Sequence, residues 1–503
     1  MMLSKSKFLL GKQCQKAFWL KHTGVPETNP KDASAQSLIS AGNEVGEIAK
    51  ELFPGGVEIE YINYEYEKMS ELTLQAIKDG VESLYEASFL KNGNFIRVDL
   101  MNKTSQGWDV YEVKSSAKLK PSHKEDLSFQ WHVLKTIPEI ELNDAYVITL
   151  DGDYIKNGKT NPGELFKKYL LTDEINLKQP QIKDEIRDIS LIPEFSEAPK
   201  IKIGTHCNNP HACAYLDKCF PENIKDKDSI FTLNNLPMTD KIALLDKGID
   251  TFDKIDKSTL KPIQQNQITA FQNNSPLVNI DKLKNFINEV KYPISYFDFE
   301  TFTDVVPIFD GQKPYMQMPC QYSLHIQKNA DDKMSANDSH HEFIADHDID
   351  PRRAIAKSMI RNLPTSGSIM AYNISFEKAC IITLAEHCPD LASELLLLNE
   401  RLMDLIVPFK GGGYYHSDFR GSFSIKSVLP ALCPEEDKNY KELAISEGGS
   451  AALVYKNMRG KSQEEVKISR EELFKYCSVD SYAMFALYQK LLIIVKEREK
   501  NWI

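Results

Sequence analysis

The sequence predicts an α/β protein built as two modules joined by a helical bridge, and three observations predict it. Between residues 94 and 150, short runs rich in β-branched and aromatic residues surround a helical pattern, which describes a small α/β layer. From Tyr292 onward, strand-like and helix-like runs alternate again. The length, 503 residues, exceeds what one ordinary core serves. The expected divisions are residues 1–225, a helical bridge over 226–290, and 291–503.

Taken in order, residues 1–24 read as a helix carrying Leu9, Leu10, Cys14, Ala17, Phe18 and Leu20. A second amphipathic helix is expected from Ser37 to Leu52, stopped by Pro54-Gly55-Gly56. Residues 67–90 carry Leu72, Leu74, Ile77, Val81 and Leu84 at helical spacing, which predicts a third. Then the period changes. Asn94–Leu100 and Trp108–Val113 read as the arms of a hairpin around the polar stretch Asn102–Gly107. A helix over His123–Lys135 and a strand over Asp144–Leu150 complete the layer. Residues 151–200 are too weakly periodic to place, and 230–290 read as short helices with polar connections. In the last module the expected strands are Ser295–Thr301, Gln321–Ile326 and Gly367–Tyr372. The expected helices are Pro351–Asn362, Phe376–His387 and Glu471–Lys496, with Asn329–His341 as a hairpin loop.

A composition of 42% hydrophobic and 26% charged residues is that of a soluble globular chain. No apolar run reads as long enough to span a bilayer, and Lys5, Lys7 and Lys12 interrupt the N-terminus where a signal peptide would stand. A cytoplasmic protein with no membrane partner is expected. The net charge of −11 argues against coating nucleic acid but leaves room for a local basic path. Residues 1–24 hold five lysines and no acid, for which a solvated helical face is the simpler reading.

The stretch Ile294-Ser295-Tyr296-Phe297-Asp298-Phe299-Glu300-Thr301 ends in two carboxylates one residue apart. On a strand, residues two apart share a face, so Asp298 and Glu300 point one way and Phe297 and Phe299 the other. Two anions held together invite a divalent metal, or simply a solvated strand end. Further on, Asn373-Ile374-Ser375-Phe376-Glu377 puts an acid at the opening of a helix, and Tyr476 and Asp480 stand four apart on one helical face. Asn373 as a helix cap, Glu377 beside a helix N-terminus and Tyr476 in a core are the plain structural alternatives.

The hairpin supplies a second set. Asp99 lies on its first arm, and Glu112 and Lys114 share a face of its second. Two carboxylates can hold a divalent metal and an ammonium can position water at a phosphodiester, although a Glu112–Lys114 ion pair needs no function. Arg97-Val98-Asp99-Leu100, then Tyr111-Glu112-Val113-Lys114-Ser115, resembles the core of the PD-(D/E)XK nucleases, a restriction-endonuclease-like fold. More narrowly it resembles the RecB-type branch that includes CRISPR-associated iron–sulfur nucleases. That resemblance assigns Gln130 to the family's glutamine on the following helix. The family's upstream histidine position falls on Gly46, with Glu44 or Glu47 as the candidate substitutes.

Cys207, Cys213 and Cys219 are spaced six apart, and Cys14 stands far upstream. Local clusters of cysteine in such a chain read as metal or cluster ligands rather than disulfides. Zinc sites prefer a tight two-cysteine knuckle, which is absent, whereas iron–sulfur clusters accept varied spacings. The RecB-type branch places one cysteine before its core and three after it, so the resemblance implies a structural [4Fe–4S] cluster on Cys14, Cys207, Cys213 and Cys219. Zinc is the alternative, with His206 and His211 as bystanders.

In their order, Asp298 and Glu300, then Asn373 to Glu377, then Tyr476 and Asp480 resemble the DnaQ-like (DEDD) 3′–5′ exonucleases of the ribonuclease H-like fold. Here glutamate stands where the second motif has aspartate. The resemblance implies Mg²⁺ or Mn²⁺ on Asp298, Glu300, Glu377 and Asp480, with Tyr476 orienting water. Asp99 and Glu112 are the implied metal ligands of the other centre. Met403-Asp404-Leu405 and Ser424–Leu429 fall where that fold has its helical middle, which makes Asp404 structural. Lys410–His416 and Arg420-Gly421-Ser422 could guide a single strand by stacking and backbone contact, or form a plain loop. The two resemblances together match a family of uncharacterised bacterial proteins. They imply a nuclease on nucleic acid, with DNA favoured, acting in repair or end processing. A binding protein with one or both centres impaired is the alternative. Arg459-Gly460-Lys461-Ser462 lacks the upstream glycine of a nucleotide-binding loop, so a helicase or repair partner is a separate chain.

Overall fold

The computed structural model describes residues 2–28, 33–334, 340–441 and 448–500. It is a mixed α/β protein in two compact units. One holds Met1–Pro221 with Asp304–Met316, and the other Glu222–Thr303 with Gln317–Ile503.

The first unit is built on one sheet. Its strands are β1 (Leu3–Ser4), β2 (Val57–Glu58), β3 (Ser83–Lys91), β4 (Asn94–Thr104), β5 (Gly107–Lys114), β6 (Leu142–Leu150) and β7 (Phe166–Leu170). The order is β2-β3-β4-β5-β6-β7, with β1 beside β4. The meander β3-β4-β5 is antiparallel, and β5 and β6 are parallel. A parallel pair needs a crossover, and the helix α5 supplies it. The helices that matter are α1 (Lys5–Gln13), α2 (Gln15–His22), α3 (Ala33–Lys50), α4 (Tyr66–Lys78) and α5 (Pro121–Leu134). Phe8 of α1 and Leu127, Phe129 and Trp131 of α5 bury one sheet face, with the Phe8 and Phe129 rings stacked at 4.6 Å. Val45 and Ala49 of α3, with Val305 and Val306, bury the other.

Two expectations are corrected here. The helix predicted over 67–90 ends at Lys78, and Ser83–Lys91 is strand β3. Gly80, at φ +83°, turns the chain, and pairing with β4 overrides a spacing that suits either structure. Residues 1–24 are not one helix, because Cys14 is extended (φ −160°, ψ 113°) and separates α1 from α2.

The second unit's sheet comprises β9 (Ile294–Phe302), β10 (Met318–Gln327), β11 (His340–Ile344), β12 (Ser368–Ala371) and β13 (Leu402–Asp404), after the short β8 (Leu277–Val278). The order is β11-β10-β9-β12-β13, antiparallel up to β9 and parallel beyond it. Phe297 and Phe299 pack on one face under the helices Arg352–Asn362, Ser375–His387 and Ala392–Glu400. Ile294 and Tyr296 pack on the other, under the long C-terminal helix Gln463–Lys500. The predicted loop Asn329–His341 falls in part outside the described residues, at 335–339. Met403 and Asp404 lie on strand β13, not in a helical middle, since they pair with Met370 and Ala371 of β12. The stretch 226–290 consists of short helices whose Ala270, Leu283 and Phe286 join the second unit's core.

The C-terminal helix is long and apolar enough to cross a membrane by length and composition. Leu473, Met484, Leu487 and Leu491 account for that character, because they are buried within the unit.

Candidate functional site

Strand alternation puts Asp298 and Glu300 on the face of β9 that the C-terminal helix covers, opposite Ser323 and Gln321 of β10. That helix brings Tyr476 and Asp480 to the same place from one face, and Cys477 beside them. The helix Ser375–His387 starts directly after β12, and its first turn supplies Glu377. Burial pushes the Asp298 carboxyl well up, and the charges of Asp480, Glu300 and Glu377 push it further. Glu300 is pushed up to about 8 by burial and Asp480, with Lys426 opposing. Glu377 is pushed up to about 8 by burial, with Asp404 adding to it. One Glu377 oxygen, Oε2, is buried with no hydrogen-bond partner. Tyr476 is raised by burial and by Asp480, Glu300 and Asp298, so it keeps its proton and faces the acids as a donor. Ligand atoms of Asp298, Glu300 and Cys477 lie within 4.8 Å of one another.

Asp298, Glu300, Tyr476 and Asp480 wall a cavity of about 500 Å³ that also touches Tyr372, Phe376 and Lys426. Glu377 is set back from it at 2% exposure. Asp404 accepts backbone N–H groups from Asn373 (2.8 Å), Ile374 (3.3 Å) and Ile406 (3.0 Å). It therefore fixes the turn ahead of the helix that carries Glu377, a helix whose start receives no side-chain capping bond from Asn373. Asn373 itself sits in the left-handed region at φ +68°. Tyr414 and Tyr415 are not free to stack on bases. They form a two-residue strand paired with β8 and bury their rings against Phe409, Phe419 and Phe423.

In the first unit Asp99, Glu112, Lys114 and Gln130 also meet, in company the sequence did not announce. Lys5 Nζ donates to Glu112 Oε1 at 2.9 Å and stands 3.4 Å from Asp126 Oδ1. Lys114 Nζ reaches Glu112 Oε1 and Asp126 Oδ2, both at 2.5 Å. Gln130 Nε2 donates to Glu112 Oε2 and, at 3.1 Å, to Asp126 Oδ1. Asp99 Oδ2 accepts the Val113 N–H at 2.6 Å. Burial would raise Glu112, but Lys114 and Lys5 outweigh it and hold the carboxyl well below its usual range. Asp99 is pushed up to about 7 by burial and by Glu112's charge. The Asp126–Gln130 spacing of four was the available signal for Asp126. Lys5 had only the local excess of lysine. Of the two candidate substitutes on α3, Glu44 is exposed, and Glu47 is exposed and paired with Lys50 at 2.7 Å.

Cys14, Cys207, Cys213 and Cys219 line one small cavity with Ala17, Leu20, Tyr215 and Leu216. Gln13 clamps the approach, its Nε2 donating to the carbonyls of His206 (2.8 Å) and His211 (2.7 Å). Burial raises the Cys207 and Cys213 thiols, and the neighbouring cysteines raise both further. Among the described residues, no three of the four sulfurs lie mutually within 4.8 Å. A lone tetrahedral zinc with bonds of about 2.3 Å would draw its sulfurs to about 3.8 Å apart. His206 lines the same cavity, and His211 is exposed.

Among known proteins, residues 295–424 match a family described as a domain of unknown function (DUF2779). The uncharacterised protein MG366 of Mycoplasma genitalium is 26% identical over 245 residues, covering 44% of this chain and 35% of its own length. Its homologue in Mycoplasma pneumoniae is 24% identical over 221 residues, with 41% and 33% covered. The chain thus spans about a third of the length of the curated relatives it matches. Asp298, Glu300 and Glu377 lie inside the matched family segment, and Tyr476 and Asp480 lie beyond it.

Proposed function

We propose that this chain is a metal-dependent nuclease that hydrolyses nucleic-acid phosphodiesters, DNA being the favoured substrate, in repair or end processing. The single observation carrying the reading is the meeting of Asp298, Glu300 and Asp480 on one cavity, with Glu377 set behind it and its Oε2 unpartnered. Asp298 and Glu300, raised by burial and by the neighbouring acids, with Asp480 beside them and Glu377 behind, form an oxygen-donor set short of positive charge, which suits a hard divalent ion. Asp298, Glu300, Glu377 and Asp480 would hold Mg²⁺ or Mn²⁺. Such ions supply an activated water and stabilise the leaving oxygen. Tyr476 keeps its proton and lines the same cavity as the acids, where it would orient water, and Lys426 at the cavity wall would receive a phosphate.

The strand order β11-β10-β9-β12-β13 supports a ribonuclease H-like, DnaQ-like reading of the second unit. The α3–meander–α5–β6 arrangement around Asp99, Glu112, Lys114 and Gln130 supports a RecB-type reading of the first. For the cysteines we favour a [4Fe–4S] cluster over zinc, on the spacing of Cys207, Cys213 and Cys219 without a tight two-cysteine knuckle and on their shared cavity with Cys14. The cluster would staple α1 to the segment after the sheet. Anaerobic purification should then give a brown protein, and a colourless one rejects it. The nuclease test is digestion of end-labelled single- and double-stranded DNA and RNA with Mg²⁺ or Mn²⁺. Cleavage lost in Asp298→Ala supports the reading, and no cleavage of any substrate removes it.

A further inference from the structure

The nuclease resemblance implies a divalent metal on Asp99 and Glu112, and the residues present do not fit one. Five of the six oxygens on Asp99, Glu112 and Asp126 are already engaged. Glu112 Oε1 takes Lys5 and Lys114, and its Oε2 takes Gln130. Asp126 is bound by Lys5, Gln130 and Lys114, and Asp99 Oδ2 by the Val113 N–H. Two ammonium groups therefore stand among three carboxylates, and a dication would meet both at close range.

We propose that Lys5 is the resident cation of the first unit's acidic centre, holding the place of a divalent ion between Glu112 and Asp126 and keeping the centre free of metal. Catalysis by metal then belongs to the second unit, a clause that rests on the function proposed above, whereas the exclusion of metal by Lys5 does not.

Lys5 is not a wandering surface side chain. The residues before it, Leu3 and Ser4, pair with Asn94 and Phe95 of the sheet. Ser4 caps α1 by accepting the Lys7 N–H, and three residues on from Lys5, Phe8 is fully buried against Phe129. The ammonium is delivered to Glu112 by backbone fixed on both sides. Lys114 alone would leave Glu112 and Asp126 with a single shared cation, and Lys5 completes the pairing.

The experiment measures Mn²⁺ retained on equilibrium dialysis by the full chain with its second unit silenced by Asp298→Asn and Asp480→Asn. In that background, adding Glu112→Gln should change Mn²⁺ retention by nothing, because no ion is held there. Adding Lys5→Met should create retention of about one Mn²⁺ per chain that Glu112→Gln then abolishes. Lys5→Arg, which keeps a cation in place, should create none. Mn²⁺ held by the Lys5-containing background and lost on Glu112→Gln overturns the proposal. So does a folded Lys5→Met chain that gains no Mn²⁺. Should Lys5→Met fail to fold, the Glu112→Gln comparison decides alone. Failure of the nuclease reading would appear separately, as absent cleavage by the unsubstituted chain.

Discussion

At the scale of single residues, the second unit's site depends on charge crowding. On the nuclease reading proposed above, losing one of the proposed ligand carboxylates forfeits several kcal/mol of charge stabilisation, so Asp298→Ala should lower cleavage at least about a hundredfold. The crowding also fixes a pH dependence. Glu300 and Glu377 titrate near 8 in the folded chain, well above the ordinary glutamate range of about 4.3. Between those limits the folded state binds more protons than the unfolded one, so these groups make the metal-free protein less stable as pH rises. Thermal melting without metal should fall from about pH 5 to about pH 8, and Glu300→Gln with Glu377→Gln should flatten that fall. Added Mn²⁺ should recover more stability at the higher pH, where fewer protons compete. Asp298, Glu300, Tyr476 and Asp480 were readable in the sequence because spacings of two and four state which side chains share a face. Lys5 was not, since its partner Glu112 lies 107 residues away and no local spacing reports a contact of that range.

At the scale of elements, one turn and one helix each have a measurable contribution. Asp404→Ala leaves the N–H groups of Asn373, Ile374 and Ile406 without their acceptor, a cost of about 1–3 kcal/mol. Because the helix it steadies carries Glu377, cleavage should fall along with the melting temperature. Phe8→Ala removes a ring stacked in the core and should cost about 3–5 kcal/mol, read by urea denaturation. The strands β4, β5, β6, β9, β10 and β12 were legible because their apolar runs are short and bounded by turn residues. Strand β3 was misread as helix, since Leu84, Tyr85, Ala87 and Phe89 declare themselves only once β4 is beside them. The break at Cys14 was equally hidden, as nothing in the local composition interrupts the helical pattern there.

At the scale of the whole molecule, the chain leaves the second unit after Thr303, contributes residues 304–316 to the first, and returns. Val305 and Val306 are buried there with Val45 and Ala49. A fragment ending at Pro221 would lack that cover, so it should melt below the full chain and bind a hydrophobic dye. The expected division at residue 225 followed the end of the cysteine cluster, and nothing in the local sequence marks a thirteen-residue excursion. The helix α1 joins the chain's two unusual features. Its nine residues span about 14 Å, with Lys5 at the first and Cys14 just past the last. It is thus a rigid ruler between the cysteine cavity and the acidic centre.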